Sequence, residues 1–277
     1  MPIRPDFIFS QKSLQDYLDC PRRFQLRYIQ RQAWPAVQSE PILEWEQHME
    51  NGQRFHRMVQ QSLAGIPVDV ISSQANNENL LRWWDAFRTY PPPDLPKIQQ
   101  AEVMLSAPFA GYRLAAVVDL VAVEPDECLV IVDWKTSIKR PLRTWLQQRL
   151  QTRVYPLIAV LAAGTWNNHK NWLPNQIEMV YWFSDFPEKI ERFSYTTDQY
   201  TADTNYITNL IREIDSLDTS SWPMTNQEKL CGFCNYRSLC SRGSKASNWE
   251  EMEEEASNGA APSLLDIDLD QIGEIAF

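Results

Sequence analysis

The stretch that decides the fold is Leu129-Val130-Ile131-Val132-Asp133-Trp134-Lys135-Thr136-Ser137. Four successive aliphatic residues ask for a strand buried on both faces. The run nevertheless ends in an aspartate and, after Trp134, a lysine. Side chains alternate along a strand, so Asp133 and Lys135 share one face and Trp134 takes the other. An isolated Asp-x-Lys is most simply a salt bridge at a strand end; what opens a second reading lies fourteen residues upstream, at Asp119.

Working outward, strand-like runs cover residues 98–108, 112–123 and 128–135, joined by turn-like segments at Ala110-Gly111 and Glu124-Pro125-Asp126-Glu127. A turn centred on Asp126 sets Asp119 opposite Asp133 in an antiparallel pair, with two carboxylates on one face. Like charges placed together in a sheet repel unless something positive lies between them. A hard divalent cation with oxygen ligands resolves that conflict, and a register shifted by half a residue would remove it.

Ser13-Leu14-Gln15-Asp16 has the pattern of a helix start, and Pro21 permits a break before a second helical stretch over 22–32. Met49, Gly52, His56, Val59 and Leu63 recur at helical spacing, which places a histidine on the inner stripe of a helix over 45–63. A helix is predicted over 78–87, where Trp83-Trp84 reads as core or as a stacking platform. Residues 145–161 predict one long amphipathic helix, followed by strands near 176–183 and 189–195 and a helix over 198–215.

These residues resemble the PD-(D/E)XK nucleases, in particular their RecB-like branch: Asp119, then Asp133-Trp134-Lys135 at the end of an aliphatic strand. SLQDYLDCPRRF (13–24) is similar to that branch's opening helix, Gly52 to His56 to its G-x-x-x-H helix, and Gln151 with Tyr155 to its Q-x-x-x-Y motif, four residues apart on one helical face. Five motifs in order cover roughly residues 7–241. The resemblance implies an α/β (α+β) fold with a restriction-endonuclease-like core, a central mixed sheet flanked by helices. It implies that His56, Asp119, Asp133 and the main-chain carbonyl of Trp134 hold Mg²⁺ or Mn²⁺, that Lys135 orients the attacking water, and that Gln151 and Tyr155 contact substrate or brace the site. Glu102, on the preceding strand, ranks below these as an acid near the metal. The run Leu114-Ala115-Ala116-Val117-Val118 lacks the glycine that many relatives carry before the first aspartate.

Cys231, Cys234 and Cys240 form C-x2-C-x5-C, and Cys20 stands near the other end of the chain. Their spacing allows zinc or an iron–sulfur cluster. The one-plus-three arrangement resembles the iron–sulfur members of the RecB-like branch, which implies a [4Fe–4S] cluster joining the N- and C-terminal segments. Cys128 reads as an apolar filler.

The formal net charge of −10 would argue against a polyanionic partner, but nine acids and no base follow residue 245, and the remainder carries 27 acids against 26 bases. We therefore expect a nuclease domain over 1–243, including the segment 231–240, and an acidic, disordered tail over 244–277. The tail could mimic DNA, bind a protein partner or only solubilise. Six bases and no acid lie between Lys135 and Arg153, and Arg23, Arg27 and Arg31 fall four apart, a pattern suited to phosphate. No apolar run is long enough to span a bilayer and the N-terminus lacks the apolar core of a secretion signal, so a soluble, cytoplasmic protein is expected. The leading expectation is a metal-dependent DNA nuclease, an exonuclease on strand ends in repair or processing. A CRISPR-adaptation nuclease that trims DNA before integration and a non-catalytic iron–sulfur DNA-binding scaffold are the alternatives.

Overall fold

The computed structural model describes residues 3–32, 40–217, 222–232 and 234–243, leaving aside the side chains of 40–46. The tail expected from residue 244 onward lies outside the described residues.

Strand β1 (Ile8–Ser10) runs straight into helix α1 (Gln11–Asp19). Ser10 caps the helix: its hydroxyl accepts from the Ser13 amide at 3.1 Å, and the Ser13 hydroxyl accepts from the Ser10 amide at 2.9 Å. The helix thus starts three residues before the expected Ser13, because a pair of serines can close the box that a serine and an acid usually make. Helix α2 (Pro21–Phe24) continues into a π turn (Gln25–Ile29), and α3 (Glu40–Leu63), α4 (Val68–Ser72) and α5 (Glu78–Thr89) follow.

Strands β2 (Ile98–Phe109) and β3 (Tyr112–Glu124) form a long hairpin. Ala110 and Gly111 both have positive φ (49° and 87°), as a two-residue turn that matches the strand twist requires. Strand β4 (Cys128–Lys135) pairs antiparallel with β3 and parallel with β5 (Ile177–Phe183), and β5 pairs antiparallel with β6 (Glu191–Ser194). The register Glu124–Cys128 to Leu120–Val132 is the one centred on Asp126, whose φ of 63° closes the turn. One edge of β3 is paired by β2 over Tyr112–Val118 and Leu120–Val123. Its other edge is shared: β1 takes Arg113–Ala115, running parallel, and β4 takes Leu120–Glu124. Between the two ladders the sheet opens at residues 116–119.

Two layers cover this mixed sheet. The core under α1, α7 (Leu150–Ala162) and α8 (Thr197–Ser216) contains Leu129, Ile131, Leu150, Val154 and Ile158. The opposite core, under α3 and α5, contains Phe55, Trp83, Trp84, Phe87, Trp134 and Trp182, so the Trp83-Trp84 pair is core. The long helix expected over 145–161 is two helices, α6 (Arg143–Gln148) and α7, separated by Arg149 in an extended conformation (ψ 142°). At the break the Leu146 carbonyl accepts from the Arg149 amide at 3.2 Å and from the Thr152 hydroxyl at 2.6 Å, which ties the end of α6 to the start of α7.

Candidate active site

Asp119 lies at the opening in the sheet. Its Oδ2 accepts from the Trp134 amide at 2.7 Å, so the carboxylate takes the place of the next ladder bond after Leu120–Val132. The β2–β3 ladder is interrupted at the same level. Ala101 pairs with Leu120 and Val103 with Val118, but Glu102, which faces Asp119, adopts φ 52°. A non-glycine residue in that region is held there by its surroundings at some cost. Across this break β3 also changes the side it buries: Leu114, Ala116 and Val118 belong to the core under α7, as do Val121 and Val123, while Leu120 and Ala122 belong to the other.

The switch corrects one expectation. The register is as anticipated, but Asp119 and Asp133 do not stand on one face. Asp119 meets α3, where His56 Nδ1 is 3.2 Å from its Oδ1. Asp133 keeps to the α7 side, where Gln151 Nε2 donates to its Oδ1 at 2.6 Å. Lys135 shares Asp133's face, with Nζ 2.7 Å from Asp133 Oδ2 and 5.8 Å from the centre of the Tyr181 ring. The two acids remain close enough to act on each other.

Among the described residues, one group has its ligand atoms within 4.8 Å of one another and could hold a metal ion: His56, Glu102 and Asp119. Glu102, ranked lowest from sequence, is therefore in the cluster, whereas Asp133 stands beside it. The donor set, two carboxylates and an imidazole, suits a hard divalent cation, and His56 Nε2 is buried without a hydrogen-bond partner. Burial alone would push His56 down, but Asp119, with Asp133 and Glu102 behind it, outweighs this and lifts it to about 9. Asp119 is held below the usual carboxylate range despite burial, chiefly by His56. Asp133 is pushed up by burial, with Asp119 adding and Lys135 and Arg149 opposing.

Gln151 and Tyr155 are both buried on α7. Arg149, buried beneath the helix break with its guanidinium 4.7 Å from the Trp145 ring, supplies a nearby positive charge that sequence reasoning did not single out. Its only sequence signal was membership of the basic run. That run is largely engaged within the protein: Arg140 and Arg143 bind Glu191, and Arg153 binds Asp203 at 3.1 Å. Arg23 and Arg27 each reach Asp16 at 2.8 Å. The expected phosphate track is thus built mostly of internal ion pairs whose acidic partners come from other elements.

Cys20, Cys231, Cys234 and Cys240 line one small cavity with Arg23, Arg237 and Arg242. All are free thiols, and no three of their sulfurs lie within 4.8 Å of one another. Burial pushes Cys231, Cys234 and Cys240 up, and neighbouring cysteines add to it.

With this geometry in view, a family model described as PD-(D/E)XK nuclease superfamily matches residues 8–101 and 78–241. No curated protein matches the chain. Among solved structures, SSO0001 is 13% identical, with 86% of this chain and 87% of that one covered and a TM-score of 0.39. A structure from Eubacterium rectale described as a "Putative exonuclease" is 10% identical, with 74% and 80% covered and a TM-score of 0.43.

Proposed function

The chain belongs to the PD-(D/E)XK nuclease superfamily, and from that premise we propose that it is a Mg²⁺- or Mn²⁺-dependent deoxyribonuclease of the RecB-like branch, an exonuclease acting on DNA ends in repair or processing. The observation that carries this reading is the convergence of His56, Glu102 and Asp119 beside the Asp133–Lys135 pair. His56, Asp119 and Glu102 would hold the cation from the α3 side, with Asp133 and the Trp134 carbonyl completing the set from the strand end beside them. When bound, the cation supplies Lewis acidity to the scissile phosphate and acidifies water.

The chain's own groups do the rest. Lys135, fixed between Asp133 and the Tyr181 ring, orients the attacking water and offsets charge that develops on phosphate oxygens. Gln151 holds one oxygen of Asp133, which leaves the other for Lys135. Tyr155, one turn further along α7, braces Gln151 or meets substrate.

A [4Fe–4S] cluster on Cys20, Cys231, Cys234 and Cys240 belongs to the same proposal, with a structural role that ties the 231–240 segment to α1 and α2. Its support is the shared cavity of four free thiols. The domain would then run over 1–243, with 244–277 as an acidic extension.

The test is anaerobic purification, metal analysis, and incubation of end-labelled single- and double-stranded DNA with Mg²⁺ or Mn²⁺, beside Asp133→Ala and Lys135→Ala. Cleavage that survives both substitutions overturns the active site. Zinc without iron overturns the cluster.

A further inference from the structure

One face of the β2–β3 hairpin is buried in the core under α7, and the other carries exposed apolar residues. Met104 pairs with Val117, Ser106 with Ala115 and Pro108 with Arg113. The intervening residues Val103, Leu105, Leu114 and Ala116 are the buried ones. Met104 is 72% exposed and Val117 41%. Scattered exposed apolar residues are ordinary on a protein surface, but these two sit on the same face as Glu102 and Asp119, one side-chain repeat away on each strand. The apolar pair therefore continues directly from the candidate metal cluster.

Further along the same face comes Arg113. It donates to the Ser106 hydroxyl from Nε at 3.1 Å and from Nη2 at 2.9 Å, which aims the guanidinium across the hairpin. Among the described residues it makes no ion pair, unlike Arg140, Arg143 and Arg153. A strand advances about 6.7 Å per two residues, a step comparable to one nucleotide of an extended single strand. From Asp119 to Arg113 is six residues, about 20 Å or three such steps.

Resting on the nuclease reading above, we propose that this face is the bed for a single-stranded nucleic-acid end. A base lies against Met104 and Val117 next to the scissile phosphate, and a phosphate about three nucleotides away is held by Arg113. The occupant is a single strand because apolar side chains can reach base faces only where the bases are not stacked in a duplex. Affinity drawn from base contact also suits a body in which most arginines along the expected track are internally paired.

The experiment measures binding of labelled oligothymidylates of two to ten nucleotides, a duplex and an oligouridylate by fluorescence anisotropy in Ca²⁺, using the full chain. Met104→Asp and Val117→Asp are expected to weaken single-strand binding at least tenfold while leaving duplex binding and the thermal midpoint near wild type. Arg113→Ala is expected to abolish the gain in affinity on lengthening from two to four nucleotides. Wild-type affinity in the aspartate variants, or no single-strand binding by the wild type, overturns the proposal. So does a change in mass by light scattering without a change in binding, which would make the face a contact between copies. Tighter binding of the oligouridylate keeps the bed and moves the substrate to RNA. A wild type that binds through these residues but does not cleave sinks the nuclease reading alone; one that cleaves while all three variants bind normally sinks this inference alone.

Discussion

Two groups of buried acids are held in opposite ways in this molecule. Beneath α1, Asp16 and Asp19 meet Arg23 and Arg27, and the Tyr28 hydroxyl donates to Asp16 at 2.9 Å. Two carboxylates face two guanidiniums, and although burial alone would raise Asp16, Arg23 and Arg27 hold it below the ordinary carboxylate range. In the strand row, Glu102, Asp119 and Asp133 have Lys135 and the buried Arg149 near one end and His56 at the other. The acids around His56 outweigh its burial and lift it to about 9. The first cluster is complete in itself and stabilises the fold. In the second, one of the positive groups is an imidazole, whose proton a divalent cation could replace.

The sharpest way to break this contrast is to delete one acid from each group. Asp133→Ala should lower phosphodiester cleavage by roughly 10³-fold or more, the scale of losing electrostatic support for a transition state. Its thermal midpoint should stay near wild type, because removing Asp133 relieves repulsion with Asp119 while Lys135 turns to solvent. Asp16→Ala should do the reverse. Leaving Arg27 without its carboxylate, and Arg23 with Asp19 alone, costs about 3–5 kcal/mol, measured by urea unfolding, with cleavage per folded molecule unchanged.

The pH dependence sharpens the same comparison. Asp16 is lowered on folding, so its contribution is present in full above the unfolded value of 3.8 and is lost as the pH falls below it toward the folded value. The wild type should therefore lose stability over that acid range more steeply than Asp16→Ala. Parallel curves for the two proteins would show that the α1 cluster does not stabilise the fold in this way.

A smaller effect is expected one shell out. Gln151→Leu keeps the volume on α7 but removes the donor that holds Asp133 Oδ1. A loss of about 10- to 100-fold in kcat, with KM little changed, is the scale for groups that orient a ligand through a hydrogen bond. A KM effect alone would make Gln151 a substrate contact instead.

How much of this could be read beforehand depended on the range of the forces involved. The hairpin turns and the register about Asp126 were legible because alternation and turn chemistry are local, and so was His56 on the inner stripe of its helix. The break at Arg149 was not, since the apolar periodicity of 145–161 passes straight through it. Nor was the change of buried side at Asp119, because nothing local marks a glutamate that will adopt φ 52°. The arginines misled for a related reason: Arg23 and Arg27 look like a phosphate track until α1 brings Asp16 against them, and Arg140 and Arg143 until β6 delivers Glu191.

The smallest effect tests the exposed counterpart of both clusters. At the turn that sets the register, Lys170 Nζ lies 2.6 Å from Asp126 Oδ1, with both side chains more than half exposed. Solvent screens such a pair and ordering the lysine offsets what attraction remains, so Lys170→Ala should leave the urea midpoint and the cleavage rate at wild-type values. The turn is held instead through its backbone: the Asp126 amide donates to Asn167 Oδ1 at 2.7 Å, and its carbonyl accepts from Gln176 Nε2 at 2.8 Å. Asn167→Ala removes the partner of a partly buried amide, which costs about 1–3 kcal/mol. Because this turn keeps Asp119 level with Asp133, that variant should lose cleavage as well as stability, whereas Lys170→Ala should lose neither.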